Sequence, residues 1–367
     1  MQRERLKNLK FKTMRKAISL KILLSAVQFF GLSALVFGSN PQSAIDAWQA
    51  GHAGGVAVAI VSESGVAFYQ AGKFSATDPR PITPDTQFEI GSVTKVFTAL
   101  LLAESERLGK VHRDDPAAKF LLPADDPAVP ALAQVTLLTL ATHTGGLPRL
   151  PPNFAPANPL NPYTDYTLEN LRAALRQSAK SVQAPAAYSY SNYGFSVLGQ
   201  ALAAAWGKSY AEILRERVLG PLGLEKTSLG LPGIPVPADF APGHRREIMV
   251  PAWTQDATAP AGGLRSSTRE MAKFLQACLN LRDTPLAASL AETAKPLRQL
   301  GAHHLSIGLA WYLTADQTPI VWHNGETGGY YSFIGYQPAK KRGIVVLTNS
   351  EHPADRLAVR LLKGSDL

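Results

Sequence analysis

The sequence predicts an α/β (α+β) fold: a sheet drawn from both chain ends, flanked by helices, with an all-helical lobe inserted between its halves. Two observations predict it. Apolar, β-rich runs occur near residue 55 and again after residue 320. Helical periodicity and Pro-punctuated loops fill the interval. The size agrees, since 367 residues at 46% hydrophobic can bury one large domain or two lobes. Pro and Gly are plentiful but show no internal period, which argues against a solenoid.

Gly55 to Ser62 (GVAVAIVS) and Val66 to Gln70 (VAFYQ) flank Glu63-Ser64-Gly65 and read as a β-hairpin. From Ser92 the period becomes helical, with Val93, Val96, Phe97, Leu100, Leu101 and Leu108 on one face and Gly109 as the stop. Leu168 to Ser178, Gly194 to Ala205 and Tyr210 to Leu219 read as helices. Pro148 to Pro162 is a Pro/Asn loop too long for a mere connector, which fits the lining of a cleft. A further helix runs from Ser267 to Leu281, after Gly262-Gly263. Cys278 lies on its apolar face and reads as a small core residue; as the only cysteine it makes no intramolecular disulfide. Ile320 to His323, Tyr331 to Gln337 and Gly343 to Thr348 read as strands, turned by Gly328-Gly329 and Ala339 to Arg342. Ala354 to Leu362 reads as a closing amphipathic helix. The division expected is residues 39–107 plus 263–367 as the α/β lobe and 108–262 as the helical lobe.

The net charge of +9 is mostly a property of the N-terminus. Residues 1–38 carry eight basic side chains against Glu4 alone, which leaves +2 for the remainder. No basic stripe interleaved with aromatics is left to bind nucleic acid. The basic stretch leads into an apolar segment from Ile22 to Phe37, followed by Gly38 and Ser39. This reads as a cleaved secretion signal, which places the mature chain in the periplasm or outside the cell. At about 16 residues the apolar segment is short for a membrane span, and only an uncleaved leader would tie the chain to a membrane.

Three constellations carry chemistry. Ser92-Val93-Thr94-Lys95 starts a helix, where residues three apart share a face. A serine hydroxyl needs a neighbouring base, and a partly buried lysine can serve. The helix N-terminus also offers backbone N–H groups to a developing oxyanion. Tyr190-Ser191-Asn192 offers a phenol able to move protons and an amide able to hold a substrate carbonyl. His323-Asn324-Gly325 closes a candidate strand; a cation there could take a carboxylate, and the glycine lets substrate lie close to the strand edge. Taken singly, each also fits an ordinary surface helix, a helix cap or a turn.

In order and spacing the three resemble the motifs S-x-x-K, Y-x-N and K-T-G or H-x-G of the penicillin-recognising serine hydrolases, the class C β-lactamase and DD-carboxypeptidase superfamily. Phe88 to Lys95, Leu138 to Pro148, Gly220 to Leu224 and Ala261 to Ser267 also resemble stretches of that family, so the likeness covers about residues 45–365. It implies a serine β-lactamase/DD-peptidase-like fold with the site between the lobes, and no cofactor. It implies Ser92 as the acylated nucleophile and Lys95 as proton acceptor or local field. It implies Tyr190 as general base toward Ser92 and general acid toward the leaving group. Asn192 would bind the substrate amide, His323 would aid carboxylate recognition and Tyr190 ionisation, and the N–H groups of Ser92 and Glu326, beside Gly325, would form the oxyanion hole.

The substrates implied are β-lactams and D-Ala-D-Ala peptides. A short-chain esterase and a non-catalytic penicillin-binding sensor are the alternatives. His323 stands where class C β-lactamases usually have Lys, which favours peptidase-like or esterase-like use, because a neutral imidazole holds a carboxylate less strongly. His143 reads as part of a structural turn, and no Gly-x-Ser-x-Gly surrounds Ser92. The adjacent His303 and His304 diverge and do not form a metal site. Oligomeric state is not legible.

Overall fold

The structure is a computed structural model that describes residues 40–301 and 305–364. The expected leader and His303-His304 lie outside the described residues. Its strands are β1 (Gly55–Ser62), β2 (Gly65–Gly72), β3 (Gln87–Glu89), β4 (Ser228–Leu229), β5 (Gly243–Arg245), β6 (Ile248–Val250), β7 (Leu264–Ser267), β8 (Arg298–Gln299), β9 (Leu305–Ile307), β10 (Tyr312–Thr314), β11 (Val321–Glu326), β12 (Tyr331–Gln337) and β13 (Arg342–Thr348). The helices of nine residues or more are α1 (Pro41–Gln49), α2 (Thr94–Arg107), α3 (Leu168–Ser178), α4 (Asn192–Trp206), α5 (Thr268–Cys278) and α6 (Asp355–Lys363).

The main sheet has eight strands in the order β2-β1-β13-β12-β11-β10-β9-β8, each neighbouring pair antiparallel. Both chain ends thus meet side by side, with Val58 opposite Val346. Period-two alternation sends β1 into two cores. Ala57, Ala59 and Val61 face the larger core, with α2, α4 and α5. Val56, Val58 and Ile60 face a smaller one, closed by Ile45 of α1 and Leu357, Leu361 and Leu362 of α6. A strand buried on both faces needs an unbroken apolar run, which GVAVAIV supplies.

Helix α2 is buried from Thr94 to Ser105, so it forms the centre of the molecule rather than an amphipathic surface element. Helix α3 starts on a reciprocal capping box between Thr167 and Asn170. Tyr210–Leu214 is α-helical, but Arg215–Leu219 continues as a π-turn where one regular helix was expected. Cys278 is half-buried at the end of α5. No described helix is long and apolar enough to cross a membrane.

Three features were not legible beforehand. Helix α1 covers one sheet face. A small sheet ordered β3-β7-β4 joins the strand before Ser92 to residues near 265. The strands β8 to β10, at one end of the main sheet, span two or three residues each, too short for an alternation to register.

Candidate active site

The strand β3 leads into a single 3-10 turn, Gly91–Val93, and directly into α2. This turn carries Ser92 half-buried and places Lys95 one helical turn on. Lys95 Nζ lies 3.0 Å from Ser92 Oγ, 2.8 Å from Asn192 Oδ1 and 2.6 Å from the Ala261 carbonyl oxygen. Lys95 is completely buried. Burial, and after it the positive field of Arg149, holds its pKa well below that of an ordinary lysine.

Tyr190 is held by its neighbour. Ser191 caps α4 by accepting from Gly194 N–H at 2.8 Å and donates to Pro148 O at 2.6 Å. Its own N–H donates to His143 Nδ1 at 3.0 Å. The His143 ring lies 4.5 Å from the Tyr190 ring, so this imidazole anchors the segment, in line with the structural role expected of it. The Tyr190 hydroxyl then donates to Ser92 Oγ at 2.6 Å. Burial, and next the neighbouring Tyr312, push the phenol above its ordinary pKa, so it is a neutral donor at pH 7.

Strand β11 lies against the Ser92 turn. Ser332 Oγ, on β12, donates to Ile90 O at 2.8 Å. A Cβ on Gly325 would fall 2.1 Å from Ile90 O and 2.8 Å from Ser92 N, so only glycine permits this approach. Gly91 has φ 46, and a Cβ there would lie 2.8 Å from Glu326 N. Hydrogen bonds alternate along an antiparallel pair. Thr327 N–H donates to Tyr330 O at 3.1 Å, so the N–H of Glu326 points away from β12, toward the Ser92 turn. The Glu326 side chain itself is exposed.

His323 departs from its expected role. Its side chain is buried at 1% exposure, and its Nδ1 lies 2.5 Å from Asn324 O. A carbonyl oxygen only accepts, so Nδ1 carries the hydrogen. Burial, and next the charge of Lys95, lower the imidazole pKa to about 3. Nε2 is therefore an unprotonated acceptor at pH 7, buried and without a described partner. Burial removes the cation that carboxylate recognition by this side chain would need.

The structure thus gathers Ser92, Lys95, Tyr190 and Asn192 into one hydrogen-bonded cluster and sets the backbone of Gly325 and Glu326 against it. Asn192 already has protein partners: its Oδ1 accepts from Lys95, and its side chain also hydrogen-bonds the Tyr163 hydroxyl, so a substrate carbonyl would share or displace the latter contact. Residues missed in the sequence are Ala261, whose carbonyl holds Lys95, and Arg149, whose guanidinium carbon lies 5.1 Å from the Tyr190 ring centroid. Both border stretches already singled out, Ala261 to Ser267 and Leu138 to Pro148. Among the described residues no cluster of three or more His, Cys, Asp or Glu could hold a metal ion.

The family model described as Beta-lactamase matches residues 42–364. The chain is 27% identical over 350 residues to a "Beta-lactamase" of Pseudomonas fluorescens, covering 82% of this chain and 89% of that one. It is 28% identical over 290 residues to "D-alanyl-D-alanine-carboxypeptidase/endopeptidase AmpH" of Escherichia coli (strain K12), covering 72% of each. The solved class C beta lactamase from Rhodobacter sphaeroides superposes with a TM-score of 0.75 at 26% identity, over 89% of this chain and 99% of that chain. A match of this extent, to a chain whose Lys95 and Tyr190 both contact the Ser92 hydroxyl in a fold of this kind, identifies it as a member of the Beta-lactamase family of serine hydrolases.

Proposed function

We propose that this chain is an exported serine hydrolase that forms a Ser92 acyl-enzyme with β-lactams, D-Ala-D-Ala peptides, or both. The observation that carries the reading is that an amine at 3.0 Å and a phenol at 2.6 Å both contact the single hydroxyl of Ser92. Relatives named for both activities support the substrate class.

The protonation states assign the roles. A neutral Lys95 gives its two N–H groups to Asn192 Oδ1 and Ala261 O and turns its lone pair to the Ser92 hydroxyl. Lys95 takes the hydroxyl proton as Oγ bonds to the substrate carbonyl carbon. The oxyanion sits between the N–H groups of Ser92 and Glu326. The carbon–nitrogen bond breaks as Tyr190 donates its proton to the leaving nitrogen, and the Lys95 ammonium restores that proton. Tyr190 therefore acts first as acid, because a phenol with a raised pKa is a poor resting base. Water releases the acyl group by the reverse sequence.

The two-lobed division at 107/108 and 262/263 goes with this reading, as does removal of residues 1–38 at export, which their basic and apolar segments support. A short-chain esterase is the second reading, favoured by the neutral His323. A fluorescent penicillin, a chromogenic cephalosporin and a nitrophenyl ester separate these. A lasting label marks slow deacylation, colour marks a β-lactamase, and ester turnover alone marks an esterase. Retention of any of these signals by Ser92→Ala overturns the acyl-enzyme reading.

A further inference from the structure

A substrate with a carboxylate beside its scissile amide needs a cation near the leaving nitrogen, and the expected donors are committed elsewhere. Lys95 is fully buried with three oxygen neighbours at 3.0 Å or less. His323 is buried, and its one N–H is directed to Asn324 O. Arg265 is buried and donates to Trp253 O. Arg245 is exposed and pairs with Glu351 at 3.4 Å.

Arg149 is differently placed. It is half-buried, at the start of the Pro148 to Pro162 loop, and its carbonyl oxygen accepts from Asn192 N–H at 3.0 Å and Tyr193 N–H at 3.2 Å. Those bonds tie it to the N-terminal turn of α4, which also presents Asn192. Its guanidinium carbon lies 5.1 Å from the Tyr190 ring centroid, in cation–π range. Its charge reaches Lys95, Tyr190, Tyr312 and Glu326. None of the described ion pairs engages it, although the exposed Glu326 carboxylate lies within its field.

We propose that Arg149 is the carboxylate-recognition residue of this site, taking the place of the cation that the third motif lacks. The inference rests on the acyl-enzyme reading above. Tyr190 must reach the leaving nitrogen to protonate it. A carboxylate one carbon from that nitrogen then falls near the Tyr190 hydroxyl, and the guanidinium carbon lies 5.1 Å from the centre of the ring that carries it, within reach of a flexible arginine side chain. A guanidinium offers a planar fork that matches a carboxylate in two hydrogen bonds, which an imidazole or a point-like ammonium does not. The site therefore selects acidic substrates through the loop after Pro148 rather than through β11.

The test compares Ser92 acylation by benzylpenicillin and by its methyl ester, which differ only in that carboxylate. Arg149→Ala is expected to slow acylation by the acid about 10- to 100-fold and by the ester less than about 3-fold, with Arg149→Lys between. Arg149→Gln, which keeps the chain length, serves if the alanine variant does not fold, with the same expectation. Equal losses on both substrates overturn the proposal, because they show Arg149 acting through the fold or the Tyr190 proton. No loss on the acid, or a wild type that does not discriminate acid from ester, overturns it as well. Ester acylation of Ser92 without acid preference sinks the Arg149 assignment alone, whereas acylation that survives Ser92→Ala, or that neither compound produces, sinks the acyl-enzyme reading and this assignment together.

Discussion

Asn192 Oδ1 lies 2.8 Å from Lys95 Nζ, although the two residues are 97 apart in the chain. With Ala261 O at 2.6 Å on another side, the amide fixes where the amine can point. In the mechanism proposed above, with Lys95 neutral, its lone pair is left directed at Ser92. Lys95→Ala is therefore expected to lower acylation by about 10³-fold or more while the fold persists, and Ser92→Ala to abolish it. Stopped-flow acylation with circular dichroism as the fold control reads both. Near-wild-type acylation by the Lys95 variant would remove the proposed base.

Tyr190→Phe removes the proton for the leaving nitrogen but leaves the base in place. The expected loss is about 10²- to 10³-fold on a lactam or peptide amide. On a nitrophenyl ester, whose leaving group departs without protonation, the loss should stay below about 10-fold. Comparable losses on both substrates would make Tyr190 the base rather than the acid.

Gly325→Ala tests the oxyanion geometry. The added Cβ would meet Ile90 O at 2.1 Å and Ser92 N at 2.8 Å, so β11 must withdraw from the turn. Acylation should fall about 10²-fold or more, as when an oxyanion donor is lost. Unchanged kinetics in the folded variant would mean that the Glu326 N–H is not a donor to the oxyanion.

His323 should contribute no ionisation between pH 5 and 8, because burial above all holds it near 3. Its ring resonances, followed by NMR and assigned with His323→Gln, should not shift over that range. A midpoint near the ordinary imidazole value would restore a cationic third motif.

Glu89 predicts a pH-dependent stability. Burial raises it from 4.5 to about 7, against the lowering effects of Thr327, Arg265 and the Trp253 N–H. The folded state holds the proton more tightly than the unfolded chain. Its stabilising contribution is therefore fully present below pH 4.5 and is lost as pH rises through about 7. The amount is about 3 kcal/mol. Glu89→Gln keeps an oxygen for the Trp253 N–H, now 2.6 Å from Oε1, and removes the titration. Thermal melts of the variant should be flatter across that window, and parallel curves would show that Glu89 ionises normally.

Much of the site was legible because local patterns carry it. The hairpin β1–β2, the three C-terminal strands and the Ser92-to-Gly109 helix follow from apolar periods of two and of 3.6. The three-residue spacing of Ser92 and Lys95 predicted the amine beside the hydroxyl without knowledge of the rest, although Ser92 sits in the 3-10 turn before α2 rather than on the helix itself. The resemblance then joined Tyr190 and Asn192 to them; the structure places the Tyr190 hydroxyl 2.6 Å from Ser92 Oγ and Asn192 Oδ1 2.8 Å from Lys95 Nζ. The strands β8 to β10 escaped because two or three residues hold no period, and β3 and β7 because each depends on a partner far along the chain.

By itself, the sequence determined the chemical groups, their order and the two ends that share a sheet, since residue type and local spacing are written in the chain. Only the tertiary structure decided their charge. His323 is neutral because β11 lies inside the protein, the Lys95 pKa is lowered because every side of it is buried, and Arg149 reaches Tyr190 because a loop folds onto α4. Desolvation is a property of all the atoms around a group, and those atoms come from segments that no local pattern brings together.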